Sequence, residues 1–550
     1  MNQRITKIHF NDNVMVALTD LQAEEVLFFQ DVSYKPIEFI PCKQKFAITK
    51  LPAGSEIIMY GVLVGISQSD IQAGGLLTVK NIKHAANDFN LRTDHTSWNI
   101  PNSKKWQAKT FNGYHRDNGE VGTANYWLVI PLVFCENRNI EVLQEALLKP
   151  LGYGRKKTYE IKAQQLIDKI ISGSGKDELL NYEFSTDSIV PEHNKIFPNV
   201  DGIKFLSHTG GCGGTRQDST TLCGLLAGYI THSNVAGATI LSLGCQNAEV
   251  KTLNEEILKR DLNFNKPLFI LDQQKVGLET DLIELAIRQT LVGLIQANKI
   301  TRTPAPLSKL IVGLECGGSH GFSGISANPS IGYTSDLLVS LGSTVILSEF
   351  PELCGVEQNL IDRCTDNDKA ERFAMLTRTY AQRAIDSGSG FNMNPSPGNI
   401  KDGLITDAMK SAGAAKKGGT SPITDVLDYP EKVSKTGLNL LCTPGNDVES
   451  TTAEVGSGAN VVLFTTGLGT PTGNPIAPVI KISSNTHLFN HMNDIIDLNT
   501  GTIIDGNETI EQAGERILDY VIKVASGELD VCAIRNGQND FIPWKRGVSL

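Results

Sequence analysis

Residues 310–321 read Leu310-Ile311-Val312-Gly313-Leu314-Glu315-Cys316-Gly317-Gly318-Ser319-His320-Gly321. An apolar run this short, rich in Ile, Val and Leu and stopped by glycines, is the pattern of a strand buried on both faces. It ends in an acid, a thiol and a tight turn. The same arrangement recurs on either side. Runs at 203–206, 238–243 and 343–347 precede Ser207-His208-Thr209-Gly210-Gly211-Cys212, Gly244-Cys245-Gln246-Asn247, and Ser348-Glu349-Phe350-Pro351-Glu352, and a further run spans 267–271. Helical patterns at 254–261 and 279–298 separate them, which predicts a parallel sheet covered by helices. Runs at 438–441 and 460–464 predict a second α/β unit, and they end in Cys442-Thr443-Pro444-Gly445-Asn446-Asp447 and Thr465-Thr466-Gly467-Leu468-Gly469-Thr470. In open parallel sheets ligands bind outside the carboxyl ends of the strands, so the active site is expected at these loops.

Farther out, the first hundred residues are short alternating runs broken by Pro-Ala-Gly and Ala-Gly-Gly turns, which predicts a small β-rich unit. A polar stretch at 88–107 reads as a linker, and 154–199 as a lysine-rich region with one helix at 160–171. The expected division is 1–100, 108–375 and 376–550. No repeat of 20 to 50 residues suggests a solenoid.

Across 550 residues, 50 basic and 60 acidic side chains leave a net charge of −10, which speaks against a nucleic-acid binder working through a basic surface. Ten cysteines, none in a CxxC pair, exclude a disulfide scaffold and a zinc ribbon. The N-terminal residues carry no signal-peptide pattern, and no run reaches the ~20 apolar residues of a membrane span. A soluble cytoplasmic protein is therefore expected, with no nucleic-acid or membrane partner.

Taken singly, a cysteine after a strand is more often a small buried hydrophobe than a ligand, and a lone histidine more often a hydrogen-bonded structural residue. Three thiols, Cys212, Cys245 and Cys316, with His208 and His320 nearby in sequence, suggest a soft-metal site or a reactive thiol; iron or another divalent transition metal suits that set better than calcium or magnesium. Glu315, Glu349, Glu352, Asp218 and Asp447 supply carboxylates, although Asp218 reads equally as a helix cap. Lys481, Arg216 and Arg363 are partners for a substrate carboxylate, or else solvated surface charges. None of the glycine loops is a phosphate-binding GxxxxGK[ST].

The blocks His208-Thr-Gly-Gly-Cys212, Leu243-Gly-Cys245-Gln-Asn247, Gly313-Leu-Glu-Cys316-Gly-Gly-Ser319, Ser326-Ala-Asn328-Pro329, Asn394-Pro-Ser-Pro-Gly-Asn399, Thr443-Pro-Gly-Asn446-Asp447 and Gly467-Leu-Gly-Thr470-Pro-Thr-Gly473 together resemble the altronate and galactarate dehydratase family. The resemblance runs almost end to end. It implies an α/β protein with a small N-terminal β-rich SAF (β-clip) domain, followed by a two-part α/β catalytic region with mainly parallel sheets. It further implies dehydration of a sugar acid with a divalent metal, Fe(II) first and Mn(II) second, and a homodimer is a further expectation. The expected catalytic residues are His208, Cys212, Glu315 and Glu349, with Cys212, Cys245 and Cys316 on the metal. Asn247, Ser319, Asn328, Asn399, Asn446, Asp447, Thr470 and Lys481 are the expected substrate contacts. The chain departs from the family pattern at Gln44, Ala124, His320 and Leu468, which puts the substrate in question. A dehydratase for galactarate or another aldonate or aldarate, elimination of a different leaving group, and a non-catalytic sugar-acid-binding relative are the alternatives.

Overall fold

The computed structural model describes residues 3–93, 97–154, 158–184 and 194–550. Parts of the expected linker and of the lysine-rich region, at 94–96, 155–157 and 185–193, lie outside the described residues. The first unit is antiparallel. Strands Ile5–Thr6, Val14–Ala17 and Lys45–Ala47 form one small sheet, and Glu56–Met59, Val62–Ser67 and Ile82–Lys83 another. Met15, Leu21, Ile40 and Phe46 close a local core.

Two parallel sheets follow. The first has the order Gly202–Phe205, Tyr126–Pro131, Val235–Ser242, Leu268–Asp272. Val235–Ser242 is buried at every position, as a central parallel strand should be. Helices Asn137–Leu148, Arg216–Thr231, Val250–Arg260 and Glu279–Ala297 accompany this sheet, and several of them pack on its strands. The second sheet has seven strands in the order Ile423–Leu427, Gly437–Leu441, Thr344–Leu347, Ile311–Gly317, Val461–Thr466, Val479–Ser483, Leu498–Asn499. Every pairing in it is parallel.

The runs read as strands from residue 200 onward all form strands. Their grouping differs from the expectation. A boundary at 375/376 would cut the seven-stranded sheet in two, because Thr344 registers with Gly437 and Val312 with Val461. The break between the parallel sheets falls instead after the helix Glu279–Ala297. There Arg302–Pro306 turns back to pair antiparallel with Thr110–His115. Chain order alone could not reveal that a strand near 311 opens a new sheet rather than extending the old one.

Residues 84–93 leave the N-terminal unit as a strap laid on the seven-stranded body. The Asn90 amide donates to Gln358 (2.9 Å) and the Thr93 amide to Asp362 (2.9 Å). The unit itself docks beside the ends of the large sheet. Lys45 Nζ donates to the Gly403 carbonyl (2.6 Å), Gln44 Nε2 to the Lys401 carbonyl (2.9 Å), and Thr406 Oγ1 to the Val64 carbonyl (2.7 Å). No helix among the described residues is long and apolar enough to cross a membrane.

Candidate active site

In the seven-stranded sheet the chain builds one flank from the central strand Ile311–Gly317 through Thr344–Leu347, then builds the other from Val461–Thr466. That reversal opens a crevice at the carboxyl ends of the central strands. Glu315 and Cys316 stand at the end of the first strand, and Ser348 and Glu349 just after the second. Glu349 has φ 63° and ψ 57°, a left-handed conformation that costs a non-glycine residue roughly 1–3 kcal/mol. The Glu349 amide donates to Thr443 Oγ1 at 2.8 Å, which helps to hold that turn. The next turn, Phe350–Leu353, supplies Glu352. Helix Asp407–Ala414 brings Lys410, and the turn Ala415–Gly418 brings Lys417. Helix Asp447–Gly456 contributes Asp447 and Glu454. A Cβ at Gly317 would collide with the Asp447 carboxylate, so that position admits only glycine while Asp447 stays where it is.

These groups interlock. Lys417 Nζ donates to Cys316 Sγ (2.9 Å) and to Glu349 Oε2. Lys410 Nζ donates to Glu352 Oε1 (2.5 Å) and to Asn394 Oδ1 (2.8 Å). The Cys316 thiol reaches Glu352 Oε2 at 3.4 Å. Glu454 Oε1 accepts from Ser348 Oγ (2.7 Å) and from the Leu314 amide (3.1 Å). Glu315 Oε2, Glu349 Oε1 and Glu454 Oε2 are buried without a hydrogen-bond partner.

Five carboxyl groups thus face two ammonium groups in a largely buried pocket, and the protonation states separate. Burial, with Glu349 and Glu454 nearby, pushes Glu315 well above the usual carboxylate range. Burial raises Asp447 to about 7 and Glu454 to about 8. Glu352 is equally buried, but the charges of Lys410 and Lys417 outweigh that and hold it below its ordinary value. Burial works against the charge on both lysines, yet the surrounding acids hold each above its usual value. Burial and Glu349 push the Cys316 thiol well up, so it stays protonated.

Of the residues expected from sequence, Glu315, Cys316, Glu349 and Asp447 meet here. Asn446 caps the Asp447 helix, its Oδ1 accepting from the Val448 and Glu449 amides at 3.2 Å. Thr470 Oγ1 lies 3.4 Å from Thr466 Oγ1, with Leu468 and Thr470 both close to Gly318. Ser319, Asn328 and Asn399 brace the surrounding loops. Asn399 Nδ2 donates to the Ser319 carbonyl (2.7 Å), and Asn328 bridges Thr465 Oγ1 (2.6 Å) and the Gly413 carbonyl (3.1 Å). His320 is buried with Nδ1 accepting from the Phe322 amide at 3.1 Å, and burial lowers it to about 3. Lys481 is elsewhere: it is buried, lowered to about 8 by that burial, and donates to Gln538 Oε1.

The expected convergence of three thiols does not occur. Cys212 and Cys245 are exposed on loops of the four-stranded sheet, whereas Cys316 is buried at the end of the other. Asn247 is exposed beside Cys245. His208 braces the backbone of its loop. Its Nδ1 accepts from the Gly210 amide (3.1 Å), which leaves Nε2 to donate to the Pro131 carbonyl (2.7 Å), and burial lowers it to about 4. The sequence reading did not single out Lys410, Lys417 or Glu454. One signal was present for Lys417: it sits in Ser411-Ala-Gly-Ala-Ala-Lys-Lys-Gly-Gly419, a run of small residues that marks close packing. Gly332, for instance, has no room for a Cβ against the Lys416 carbonyl.

Two donor sets in the cluster bring ligand atoms within 4.8 Å of one another: Cys316 with Glu349 and Glu352, and Glu315 with Glu349 and Asp447. Lys417 and Lys410 already neutralise the first. The second is an all-oxygen set containing two orphaned carboxylate oxygens, and it fits a hard divalent ion such as Mn(II) or Fe(II).

The chain matches three family models: an altronate/galactarate dehydratase SAF domain over residues 3–85, a D-galactarate dehydratase/altronate hydrolase second domain over 113–298, and a D-galactarate/altronate dehydratase C-terminal domain over 307–549. It is 32% identical to the altronate dehydratase of Bacillus subtilis (strain 168) over 549 residues, 99% of each chain. It is also 32% identical to the altronate dehydratase of Escherichia coli (strain K12) over 547 residues, again 99% of each. With the galactarate dehydratase (L-threo-forming) of Escherichia coli (strain K12) it shares 30% identity over 529 residues, 95% of this chain and 92% of that one.

Proposed function

The chain belongs to the D-galactarate/altronate dehydratase family, and from that premise we propose that it is a hydro-lyase converting D-altronate to 2-dehydro-3-deoxy-D-gluconate and water. The observation that carries the reading is the buried pocket in which Glu352 is held ionised while Glu454, a neighbour in the same charge cluster, is held neutral. Environments that separate the protonation states of like groups are what acid–base elimination requires.

A 2,3-dihydroxy acid loses a weakly acidic proton from C2 and hydroxide from C3. Glu352 is the proton acceptor. It is ionised, and the half-buried Asn394 contacts both Glu352 and the same Lys410. Lys410 is the cation nearest that proton transfer, and it offsets the charge that develops on the substrate carboxylate as C2 becomes trigonal. Lys417 is buried behind them and is a fixed positive charge that keeps Glu349 from repelling the developing enediolate. A divalent ion held by Glu315, Glu349 and Asp447 would supply Lewis-acid assistance to the carboxylate and the departing hydroxyl. Collapse of the enol to the 2-keto-3-deoxy acid needs no further group.

The test is purified full-length protein, anaerobic, given Mn(II) or Fe(II) and a panel of aldonates and aldarates, with 2-keto-3-deoxy acid as the readout. Product from D-altronate that depends on the ion supports the whole reading. Product from galactarate or another sugar acid keeps the mechanism and moves the substrate. Absence of product from every acid, with the protein folded and loaded, overturns catalysis in favour of a sugar-acid-binding relative.

A further inference from the structure

A second constellation lies at the seam between the N-terminal unit and the large body, next to the Glu352–Lys410 side of the active cluster. Just after strand Ile82–Lys83 the strap carries His84, whose Nδ1 lies 3.4 Å from the Ala408 amide. Cys354 follows the turn Phe350–Leu353, and Asp407 opens the helix Asp407–Ala414. The three segments are in close contact. A Cβ built on Gly355 would meet the Cβ of Ala408 at 3.1 Å and that of Ala86 at 3.3 Å. One ligand atom each from His84, Cys354 and Asp407 lies within 4.8 Å of the others.

The second observation is an orphan. Asp407 is 1% exposed, and its Oδ2 is buried without a hydrogen-bond partner. Its Oδ1 receives the Ser411 hydroxyl at 3.4 Å, and the Cys354 thiol is the other side chain bonded to the carboxyl group. An unpartnered buried carboxylate oxygen costs stability unless something supplies the missing partner. Three residues 270 and 53 positions apart in sequence, drawn from two structural units, bring a ring nitrogen, a sulfur and a carboxylate oxygen within 4.8 Å of one another.

We propose that His84, Cys354 and Asp407 bind a divalent transition ion of the Zn(II) class, which ties the N-terminal unit to the catalytic body. A mixed nitrogen, sulfur and oxygen set is characteristic of zinc and its neighbours and is foreign to calcium and magnesium. Binding displaces two protons to solvent, one from the Cys354 thiol and one from the Asp407 carboxyl, which burial otherwise holds protonated. Two negative ligands then match the two charges of the ion, and the filled site is neutral in a low-dielectric seam. Three protein ligands leave one tetrahedral position for water. This site stands independently of the lyase reading.

The probe is Co(II), titrated into the full-length protein after chelator treatment, because thiolate ligation gives cobalt a ligand-to-metal charge-transfer band. Wild type is expected to develop that band at one equivalent and to lose it when Zn(II) is added. The Cys316→Ser variant keeps it, which separates this site from the other buried thiol. Cys354→Ser abolishes the band, and Asp407→Asn and His84→Gln weaken Co(II) binding at least ~10-fold, the scale expected when a site loses a supporting or direct ligand. His84 is only half-buried on the strap, so His84→Gln gives a reading even where Cys354→Ser fails to fold. No band in wild type, a band that survives Cys354→Ser, or unchanged Co(II) affinity in folded His84→Gln would each overturn the site.

Discussion

The four-stranded and seven-stranded sheets end in loops of nearly the same composition: glycines, a cysteine and a histidine close by. Their interiors are unlike. At the smaller sheet, Cys212 and Cys245 face solvent, and His208 spends both ring nitrogens on backbone groups. At the larger sheet the same kind of loop covers Glu315, Cys316, Glu349 and Glu352, all buried and wired to two buried lysines. A protein sustains that many buried charges only where they compensate one another, and the compensation fixes which of them hold protons. Glycine and cysteine at a strand end locate a loop. Buried opposite charge distinguishes the loop that can do chemistry.

The comparison is broken most directly by exchanging single groups across the two sheets. Glu352→Gln removes the proton acceptor while keeping the shape, and it should lower kcat for sugar-acid dehydration by at least ~10³-fold, about 4 kcal/mol. Cys212→Ser and Cys245→Ser should leave kcat within about threefold, since surface changes away from the machinery have small effects. A thousandfold loss in either cysteine variant would return the active site to the smaller sheet. Next in size, Lys417→Ala strands Glu349 beside Cys316 without its cation. Breaking a buried pair typically costs about 3–5 kcal/mol, to be read as a lowered urea midpoint at unchanged m. His208→Gln should cost about 1–2 kcal/mol, the scale of two hydrogen bonds to backbone, with kcat within tenfold. A kcat loss far beyond the stability loss would make His208 catalytic after all.

What the sequence revealed follows the same divide. Short apolar runs with polar stops locate parallel strands because a strand buried on both faces has nowhere to put a polar side chain, and 438–441 and 460–464 are as legible as 310–314. Which strands share a sheet was not legible, since pairing between Thr344 and Gly437 joins residues 93 positions apart in the chain. Glu315, Glu349 and Asp447 were visible because they follow strands or open a helix directly. Lys410 and Lys417 sit on a helix and a turn with no strand before them. Only their burial among small residues gives them a role, and periodicity does not report that. His208 and Cys212 satisfied every sequence criterion that Glu315 did. Residue type and position were equal, and the difference lay in hydrogen bonds to Pro131 and Gly210 that no spacing rule predicts.

The finest test of the comparison uses pH, because the two sheets bury groups of opposite sign. Burial raises Glu454, beneath the active cluster, from 4.5 to about 8. The folded protein therefore holds that proton more tightly than the unfolded chain does. The stabilisation is complete below about pH 4.5 and is lost as pH rises towards 8, at no more than about 1.4 kcal/mol per pH unit. His208 beneath the smaller sheet is lowered from 6.5 to about 4. Its contribution is complete above 6.5 and is lost as pH falls towards 4. Other buried groups titrate in the same range, His232 and Lys45 among them, so the quantity to measure is the stability difference between wild type and a single variant at each pH. From pH 5 to 7.5 the difference between wild type and Glu454→Gln should fall with pH. From pH 4 to 6.5 the difference between wild type and His208→Gln should rise. Parallel slopes would mean that the two strand-end regions are electrostatically alike, and the assignment of the chemistry to the seven-stranded sheet would lose its physical basis.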